Sequence, residues 1–189
     1  MTELTEVVAA VELRRADLAR VVVAVSGYAG AGKSVLARAL VDVLDDAIRV
    51  RGDDFLDPPR VRRRSADWDG VDRRRLRSDV LEPFRADRSA SVRTLDWTTG
   101  RLGLPTPLPR ASVLVVDGIG IFHPDLLPWF DLTVWVDVDP DVAQSRGMAR
   151  DQAAGLDHDD LWRHVWTAND REFEQTFSPV AQADIRYVS

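Results

Sequence analysis

A strand pattern, a glycine-rich loop and a helix pattern follow one another near the start of the chain. Residues 21–25 form a continuous, mostly β-branched apolar run, which predicts a strand that is buried on both faces. Residues 27–34 read Gly-Tyr-Ala-Gly-Ala-Gly-Lys-Ser and fit the pattern G-x-x-x-x-G-K-[ST], and residues 35–44 carry a helix pattern. Because a phosphate-binding loop requires this order of elements, the segment predicts such a loop in an α/β fold.

The glycine-rich loop predicts a cradle for phosphate groups. Its glycines let successive backbone N–H groups converge on one anion, and the positive end of the following helix dipole adds to the attraction. Lys33 is expected to be exposed and to reach the β- and γ-phosphates of a nucleotide, while the Ser34 hydroxyl binds Mg²⁺. The predicted nucleotide-binding residues of this segment are Gly27, Tyr28, Ala29, Gly30, Ala31, Gly32, Lys33, Ser34 and Val35.

Lys33 is also the only lysine among the 25 basic residues of the chain, since all the others are arginines. An arginine cannot mimic a compact, flexible ammonium group. A lysine that stands alone in an arginine-rich chain is therefore a candidate for a position that needs such a group.

Composition narrows the classes of function. The 189 residues include 31 acidic and 25 basic ones, and this net charge of −6 disfavours a general nucleic-acid binder. The chain has no cysteine, which excludes disulfides, thiolate metal sites and cysteine nucleophiles. No apolar run reaches the roughly 18 residues of a membrane span, and the acidic N-terminus lacks the basic region of a signal peptide. We therefore expect a cytoplasmic protein that binds no membrane.

Strand and helix patterns alternate along the rest of the chain. The strand patterns cover residues 48–51, 91–97, 112–116, 132–138 and 184–188, and the helix patterns cover residues 3–19, 72–84, 141–154 and 158–177. This alternation predicts a doubly wound parallel sheet in a three-layer α/β/α fold of the P-loop NTPase type. We expect one domain over residues 1–189, with an N-terminal helix in residues 1–19 and an irregular segment over residues 57–70.

Acidic residues follow three of the predicted strands, at the edge of the sheet where ligands bind in open α/β folds. Asp117 comes directly after the strand predicted over residues 112–116, in the form of a Walker B carboxylate that supports Mg²⁺. Asp53 and Asp54 follow the second strand, and we expect one of them to be a base or metal ligand and the other a solvated turn residue. Asp139 precedes Pro140 and is expected to cap the next helix.

Phosphoryl transfer needs a carboxylate at the acceptor hydroxyl and cations at the phosphates. Asp53 is the candidate for the first task. Arg146 and Arg150 are candidates for the second, because they lie four residues apart on one predicted helix and share a face. We expect the segment over about residues 146–157 to form a helical lid. The alternative for both arginines is a solvated helix face.

In their order along the chain, these segments resemble the uridine kinase-like group, one of the small-molecule kinase groups that include phosphoribulokinase and pantothenate kinase. The resemblance covers about residues 20–188. Its segments are residues 27–34, 53–55, 95–97 with Arg101, 116–119, 146–151, and 170–177 with 183–184. The resemblance implies ATP and Mg²⁺ as cofactors and a hydroxyl group as phosphate acceptor.

The resemblance implies roles for individual residues around the chemistry. Asp53 matches the first aspartate of a D-x-F-Y segment, which implies a catalytic base that helps at the metal, and this match favours it over Asp54. Arg150 matches the lid arginine of an Arg-Asp pair. Lys33, Asp53 and Arg150 are thus the predicted catalytic residues, and Arg146 is added to the nucleotide-binding residues.

The resemblance also implies residues that bind the acceptor. Asp67 or Asp69 falls in the region where an acidic residue grips sugar hydroxyls, and Asp67 is the first candidate. Asp96 and Trp97 match a Tyr-Asp-Phe segment, so Trp97 is expected either to stack on a base or to be a buried core residue. Arg101 matches an arginine that follows that segment.

Several positions depart from the pattern of the group. Leu56 and Leu95 stand where the group has tyrosines, and Asp117 replaces its usual glutamate. Residues 153–157 stand in place of an Arg-Gly-Arg segment, so that one lid cation is missing. These departures make uridine itself doubtful as the acceptor.

The sequence predicts an ATP-dependent kinase in which Ser34, Asp117 and Asp53 hold Mg²⁺. The acceptor is a hydroxyl of a nucleoside or other small metabolite, and pantothenate, a sugar phosphate and a ribosylated cofactor precursor remain alternatives. A nucleotide-binding regulatory protein with weak or no transfer is the alternative from another class. A small-molecule acceptor is the expected partner, nucleic acid and membrane are not expected as partners, and homo-oligomerisation is left open.

Overall fold

The strands of the structure are numbered here along the chain. The computed structural model describes residues 3–97 and 99–188, so that Met1, Thr2, Thr98 and Ser189 lie outside the described residues. The strands are β1 (Val21–Ser26), β2 (Ala47–Arg51), β3 (Ser91–Val92), β4 (Leu95–Asp96), β5 (Arg101–Leu102), β6 (Thr106–Pro107), β7 (Val113–Asp117), β8 (Leu132–Asp137) and β9 (Ile185–Val188).

Five of these strands form a parallel sheet in the spatial order β2-β7-β1-β8-β9. Every residue of β1 is buried, which confirms the prediction of a strand that is covered on both faces. The helices that flank the sheet complete a three-layer α/β fold, as the alternating pattern predicted.

The longer helices are α1 (Leu4–Asp17), α2 (Lys33–Val43), α3 (residues 73–85), α4 (Pro140–Ala153) and α5 (residues 159–177). Each of α3 and α5 contains one π-type turn, Arg77–Leu81 and Trp162–Trp166 respectively. Short 3-10 turns cover Gly52–Phe55 and Leu127–Trp129. Asp139 caps α4 by accepting from the N–H groups of Asp141 and Val142, which confirms the predicted cap.

The register of the sheet aligns the ends of three strands. Val25 of β1 and Arg51 of β2 both lie opposite Asp117 of β7. The segments that follow β1, β2 and β7 therefore leave the sheet at the same level and on the same edge. In open parallel sheets this carboxyl edge is where ligands bind.

The segment predicted as one strand over residues 91–97 is different in the structure. It divides into β3, which pairs with β6, and β4, which pairs with β5, both antiparallel. Pro105 stands between β5 and β6 in the returning segment, and its lack of an N–H group interrupts a continuous ladder. The result is two small hairpin ladders instead of one longer strand.

A second, smaller hydrophobic cluster lies apart from the core on the sheet. Its members come from the irregular segment of residues 57–70, called here the 57–70 loop, from its flanks, from β4 and from α5. They are Leu56, Val61, Trp68, Val71, Leu95 and Phe173. This cluster fixes the 57–70 loop and the β4–β5 hairpin beside the carboxyl edge.

None of the helices in residues 3–97 and 99–188 is long and apolar enough to cross a membrane.

Candidate active site

Residues 27–34, called here the cradle, connect β1 to α2 at the carboxyl edge. Gly30 has a φ of +85° and Gly32 a φ of +100°, conformations that side-chain-bearing residues rarely adopt. A Cβ at Gly30 would lie 2.0 Å from the carbonyl oxygen of Ala143 in α4. Glycine is therefore required at position 30 both by the backbone conformation and by the close approach of α4.

The N-terminus of α2 lies at the end of the cradle. The helix begins at Lys33, with Gly32 as its N-cap residue. The first four N–H groups of a helix have no partner within it, and the helix dipole is positive at this end. The cradle thus has the amide geometry and the electrostatics of an anion site.

Lys33 is buried, so the expectation that it is exposed is wrong. Its Nζ donates to the carbonyl oxygens of Gly27 (3.0 Å) and Tyr28 (2.8 Å), at the start of the cradle. Burial lowers the pKa of the Lys33 ammonium, while the charges of Asp170 and Asp53 oppose that shift. The side chain crosses the loop that it belongs to, which places its charge inside the cradle.

Ser34 and Asp117 meet at the junction of α2 and β7. The Ser34 hydroxyl donates to Asp117 Oδ2 over 2.7 Å, and the Asp117 side chain is buried. This pair brings together two residues that the sequence predicted as Mg²⁺ ligands, although they are 83 positions apart.

Arg49 also binds Asp117, and sequence reasoning gave it no role. Its Nε donates to Oδ1 (2.6 Å) and its terminal nitrogen donates to Oδ2 (2.8 Å). This fork geometry is the strongest form of an arginine–carboxylate contact, and it raises the pKa of Arg49. The available signal was an arginine inside a strand of a parallel sheet, where apolar residues are usual.

The oxygen ligands at this junction fit Mg²⁺. The Ser34 hydroxyl and the Asp117 carboxylate are hard oxygen ligands, and Mg²⁺ in nucleotide enzymes is usually held by one or two carboxylates, substrate phosphates and water. Within the described residues, no group of three or more His, Cys, Asp or Glu side chains could hold a metal by itself. A metal at Ser34 and Asp117 would complete its shell with phosphate oxygens, and it would share Asp117 with Arg49.

Asp53 and Asp54 lie in the 3-10 turn that follows β2, and they have different environments. The side chain of Asp53 is 49% exposed and contacts Arg51 at 3.8 Å. Even so, the protein around it withdraws enough water to raise its pKa, against the pull of Lys33 and Arg51. A carboxylate with a raised pKa near Lys33 and Asp117 has the properties of a general base at a phosphate site.

Asp54 is buried, so the expectation that the second carboxylate is a solvated turn residue is wrong. Its Oδ1 accepts from the backbone N–H of Leu95 (3.2 Å), and its backbone oxygen accepts from Arg75. The Arg75 guanidinium also lies over the Phe55 ring, 4.3 Å from its centroid. Asp54 ties the β4–β5 hairpin to the turn that carries Asp53.

Three of the residues predicted to bind the acceptor, Asp96, Trp97 and Arg101, are carried by this hairpin. Asp96 accepts from the Thr99 hydroxyl (2.8 Å) and lies opposite Arg101 in the β4–β5 register. Trp97 is 42% exposed, so the alternative of a buried core residue is wrong. Leu56 and Leu95, which replace the tyrosines of the uridine kinase-like pattern, are both buried in the smaller cluster. The roles of Asp96, Trp97 and Arg101 stay predictions.

Asp67 and Asp69 both lie in the 57–70 loop. Asp67 accepts from the Ser65 hydroxyl (2.8 Å) and lies 3.9 Å from Arg73. Asp69 pairs with Arg63 at 3.0 Å. Each carboxylate has a local arginine, so that the choice between them as an acceptor-binding residue stays a prediction.

Arg146 and Arg150 lie on the second half of α4, which the cradle contacts at Gly30. Both arginines are exposed, and the Arg150 side chain is 67% exposed. Arg150 donates from two nitrogens to Asp151 Oδ1 (3.0 and 2.7 Å), and Trp162 donates to Asp151 Oδ2 (2.9 Å). Burial alone would raise the pKa of Asp151, but hydrogen bonds from Trp162, Arg150 and His158 outweigh it and lower this pKa. The contact with Asp151 fixes the position of the Arg150 guanidinium. The role of Arg150 as a lid cation stays a prediction.

Asp170 on α5 is a buried carboxylate beside the cradle to which the sequence assigned no role. Its Oδ2 accepts from the backbone N–H of Ala29 (2.7 Å), and its Oδ1 accepts from the indole N–H of Trp68 (3.1 Å). One turn further along α5, Glu174 accepts from the Tyr28 hydroxyl (2.6 Å). Burial raises the pKa of Asp170 to about 6, against the attraction of Lys33.

No family model matches the chain. The chain is similar in sequence to uridine-cytidine kinase C of Dictyostelium discoideum, with 28% identity over 118 residues. The matched region is 60% of this chain and 26% of that protein, so the chain matches about a quarter of its relative's length.

Several solved structures share the fold at low sequence identity. A possible uridine kinase from Bacillus stearothermophilus is 15% identical with a TM-score of 0.73, and the likeness covers 98% of this chain and 100% of that one. A candidate fructose transport system kinase from Silicibacter sp. TM1040 is 20% identical with a TM-score of 0.80, over 99% and 100% of the two chains. YFH7 from Saccharomyces cerevisiae, a candidate P-loop kinase with a circular permutation, is 12% identical with a TM-score of 0.73, over 100% and 99%. At these identities the likeness shows the three-layer α/β fold alone.

Proposed function

We propose that this chain transfers a phosphoryl group from ATP to a hydroxyl group of a small metabolite. The starting point is a uridine kinase-like family of P-loop kinases, which the sequence relative and the structural neighbours support. The reaction forms a bond between the γ-phosphorus and the acceptor oxygen and breaks the bond to the ADP oxygen. A base of the protein accepts the proton of the acceptor hydroxyl.

The observation that carries this proposal is the convergence of three functional groups on one edge of the sheet. The buried charge of Lys33 lies inside the cradle, Ser34 contacts Asp117 at 2.7 Å, and Asp53 follows the neighbouring strand. Lys33, Asp53 and Asp117 are close enough for their charges to interact. A cation, a metal-ligand pair and a carboxylate of raised pKa are the parts that phosphoryl transfer requires.

Each part has a separate task in this account. The N–H groups at the start of α2 and the Lys33 ammonium bind the phosphates of ATP. Asp53 accepts the proton of the acceptor hydroxyl and orients its oxygen toward the γ-phosphorus. Arg150 adds positive charge from α4 as the phosphates bind. Ser34 and Asp117 would hold Mg²⁺, which would supply positive charge that offsets the negative charge of the phosphate oxygens.

A nucleoside is the acceptor class that we favour. The sequence relative is a uridine-cytidine kinase, and the exposed ring of Trp97 stands on the hairpin next to Asp53, where a base could stack on it. A sugar is the second candidate, because the structural neighbour with a TM-score of 0.80 is a candidate fructose transport system kinase. The buried positions of Leu56 and Leu95 remove two contacts that the tyrosines of the uridine kinase-like pattern would supply.

The test of the function is ADP release from ATP and Mg²⁺ with a panel of acceptors: uridine, cytidine, fructose and pantothenate. We expect at least one acceptor to raise the rate of ADP release well above the rate without acceptor. The Lys33→Met variant is the control for contaminating kinases. Tight ATP binding without acceptor-stimulated turnover across a wide panel would instead support a nucleotide-binding regulatory protein.

The metal assignment has its own test. ATP is expected to raise the melting temperature more with Mg²⁺ than with EDTA, because a ligand that binds the native state stabilises it by mass action. Ser34→Ala and Asp117→Asn should each reduce this difference. Asp45→Asn makes the same change of charge at the opposite end of the sheet and should leave it unchanged. An unaltered difference in Asp117→Asn would show that Asp117 serves only Arg49 and Ser34.

A further inference from the structure

Asp170 joins two parts of the molecule that are distant in sequence. One carboxylate oxygen accepts from Ala29 in the cradle, and the other accepts from Trp68 in the 57–70 loop. These partners lie 141 and 102 positions away from Asp170, respectively. The cradle and the 57–70 loop are thus held by the two oxygens of a single side chain.

The setting of Asp170 is unusual for a residue that only supports the fold. Asp170 and Trp68 are both buried, and burial raises the pKa of the Asp170 carboxyl to about 6 although two hydrogen bonds and Lys33 favour its charged form. A charge in such a place costs stability, and a strongly shifted carboxyl with a specific charge partner is more frequent at functional sites than elsewhere.

Helix α5 holds the 57–70 loop at further points. Trp166 donates to the carbonyl oxygen of Val61 (2.7 Å), Ser65 donates from its backbone to Asn169 (2.9 Å), and Arg64 pairs with Glu172. These contacts fix the loop on the helix without touching the cradle. The Trp68–Asp170–Ala29 connection differs from them because it continues from the loop into the cradle.

We propose that Asp170 is a positioning residue that holds the cradle in its nucleotide-binding geometry and couples it to the 57–70 loop. This inference rests on the proposed function, because it assumes that the cradle binds a nucleotide. Asp170 acts through the Ala29 amide, and its position is set in turn by Trp68. A change in the 57–70 loop then reaches the nucleotide through one carboxylate.

The charge of Asp170 and its positioning role predict opposite changes in the affinity for a nucleotide. By charge alone, removing a carboxylate near Lys33 would strengthen the binding of an anionic nucleotide. Positioning predicts the opposite result, since the cradle loses its anchor. Measuring the affinity for ADP in each variant separates the two.

The experiment is calorimetric titration of ADP, with EDTA present, into wild-type protein and the variants Trp68→Phe and Asp170→Asn. Trp68→Phe removes the indole donor without a change of charge, and we expect the affinity for ADP to fall about threefold to tenfold. We expect a similar fall in Asp170→Asn. In the double variant, the fall should be no larger than in Asp170→Asn alone, because both changes act through one connection.

Trp166→Phe is the matched control, because it also removes an indole donor that ties α5 to the 57–70 loop. It should lower the melting temperature and leave the affinity for ADP unchanged. Asp170→Asn keeps the size of the side chain and decides the question if Trp68→Phe folds poorly.

Three results would overturn the inference. The first is tighter binding of ADP by Asp170→Asn, and the second is unchanged binding by Trp68→Phe when it is folded. The third is an equal loss of affinity in Trp166→Phe, since the effect would then reflect general damage to the loop. Wild-type protein that binds no ADP would overturn the proposed function itself, and this inference with it.

Discussion

The two sides of the carboxyl edge are built in different ways. The side that we propose for the nucleotide, called here the nucleotide side, consists of the cradle, the start of α2, Asp117 and the turn after β2. It follows directly from the buried strands of the main sheet. The side that we propose for the acceptor, called here the acceptor side, consists of the 57–70 loop and the β4–β5 hairpin. It has only two-residue strands and a six-residue apolar cluster of its own. The first is fixed by the sheet, and the second by contacts between distant segments.

We expect this difference to separate the transfer of the phosphoryl group from the recognition of the acceptor. The sheet fixes Lys33, Ser34 and Asp117, which we propose act on the phosphates whatever the acceptor is. The acceptor side can change its side chains without disturbing the sheet, because it packs on the smaller cluster. We therefore expect substitutions on the nucleotide side to act on the rate of transfer, and those on the hairpin to act on acceptor binding.

The largest effect is expected at Asp53, where the two sides meet. Asp53→Asn keeps the size of the side chain but removes the base, and kcat should fall by about 10²- to 10⁴-fold. Asp54→Asn is the matched control one residue away: its side chain can still accept from Leu95, so kcat should change little. Steady-state kinetics with one working acceptor decides between the two carboxylates.

If Asp54→Asn were the impaired variant, the base would lie on the buried side of the turn and the assignment would be off by one residue. If neither variant were impaired, the acceptor hydroxyl would be oriented by another group.

Lys33→Met should lower the rate of transfer by about 10²- to 10³-fold, since it removes a preorganised cation from the phosphates. The melting temperature is not expected to fall, because burial disfavours the ammonium that the variant removes. Arg38→Met removes an exposed cation from the same helix and should leave the rate unchanged. Transfer at the wild-type rate by Lys33→Met would end the assignment of the cradle.

The nucleotide side could be predicted from the sequence because its signals are local. The cradle, its flanking strand and the start of α2 are contiguous, so that spacing alone predicts their geometry. Asp117 follows a strand of four apolar residues, which fixes its place at the sheet edge. The burial of Lys33 could not be predicted in this way, since it depends on how the chain folds back over its own carbonyl groups.

Asp170 offers a test through pH, because it connects the two sides. Its folded pKa of about 6 lies above its ordinary value of 3.8. Between these values the native protein holds a proton that the unfolded chain releases, so this group's contribution to stability is lost as pH rises through that window. The free energy of unfolding of Asp170→Asn relative to wild type should rise by about 2 to 3 kcal/mol between pH 4 and pH 7.

The measurement is denaturant unfolding of both proteins at several pH values. Titrating groups that do not interact with Asp170 contribute equally to both proteins, so their effects cancel in the difference. A difference that is independent of pH would mean that Asp170 titrates in its ordinary range, and the nucleotide and acceptor sides would then not be joined by a costly buried charge.

The smallest effect is expected on the acceptor side. Trp97→Ala should raise KM for a nucleoside about twofold to tenfold, which is the usual contribution of an aromatic stacking contact to binding. It should leave kcat and the affinity for ADP unchanged. Leu102→Ala truncates a side chain of similar exposure on the same hairpin and should have no effect on KM. A fall in kcat without a change in KM would contradict the separation of the two sides.

Most of the acceptor side could not be predicted from the sequence because its contacts are long-range. Asp54 and Leu95 are 41 positions apart, and Trp68 and Asp170 are 102 positions apart. No local period marks such pairs, so Asp54 was expected to be solvated and Asp170 was given no role. Arg49 was missed for the same reason, since its partner Asp117 belongs to a neighbouring strand.

Transfer of the γ-phosphoryl group of ATP to an acceptor at Asp53 is the step that we propose for this site. The most direct measurement follows radiolabel from γ-labelled ATP, with Mg²⁺ and the acceptor that most stimulates ADP release, for wild type, Asp53→Asn and Asp54→Asn. We predict label in the acceptor in an amount equal to the ADP formed, with the label almost abolished in Asp53→Asn and retained in Asp54→Asn. ADP formation without label in any acceptor, or full labelling by Asp53→Asn, would contradict the account.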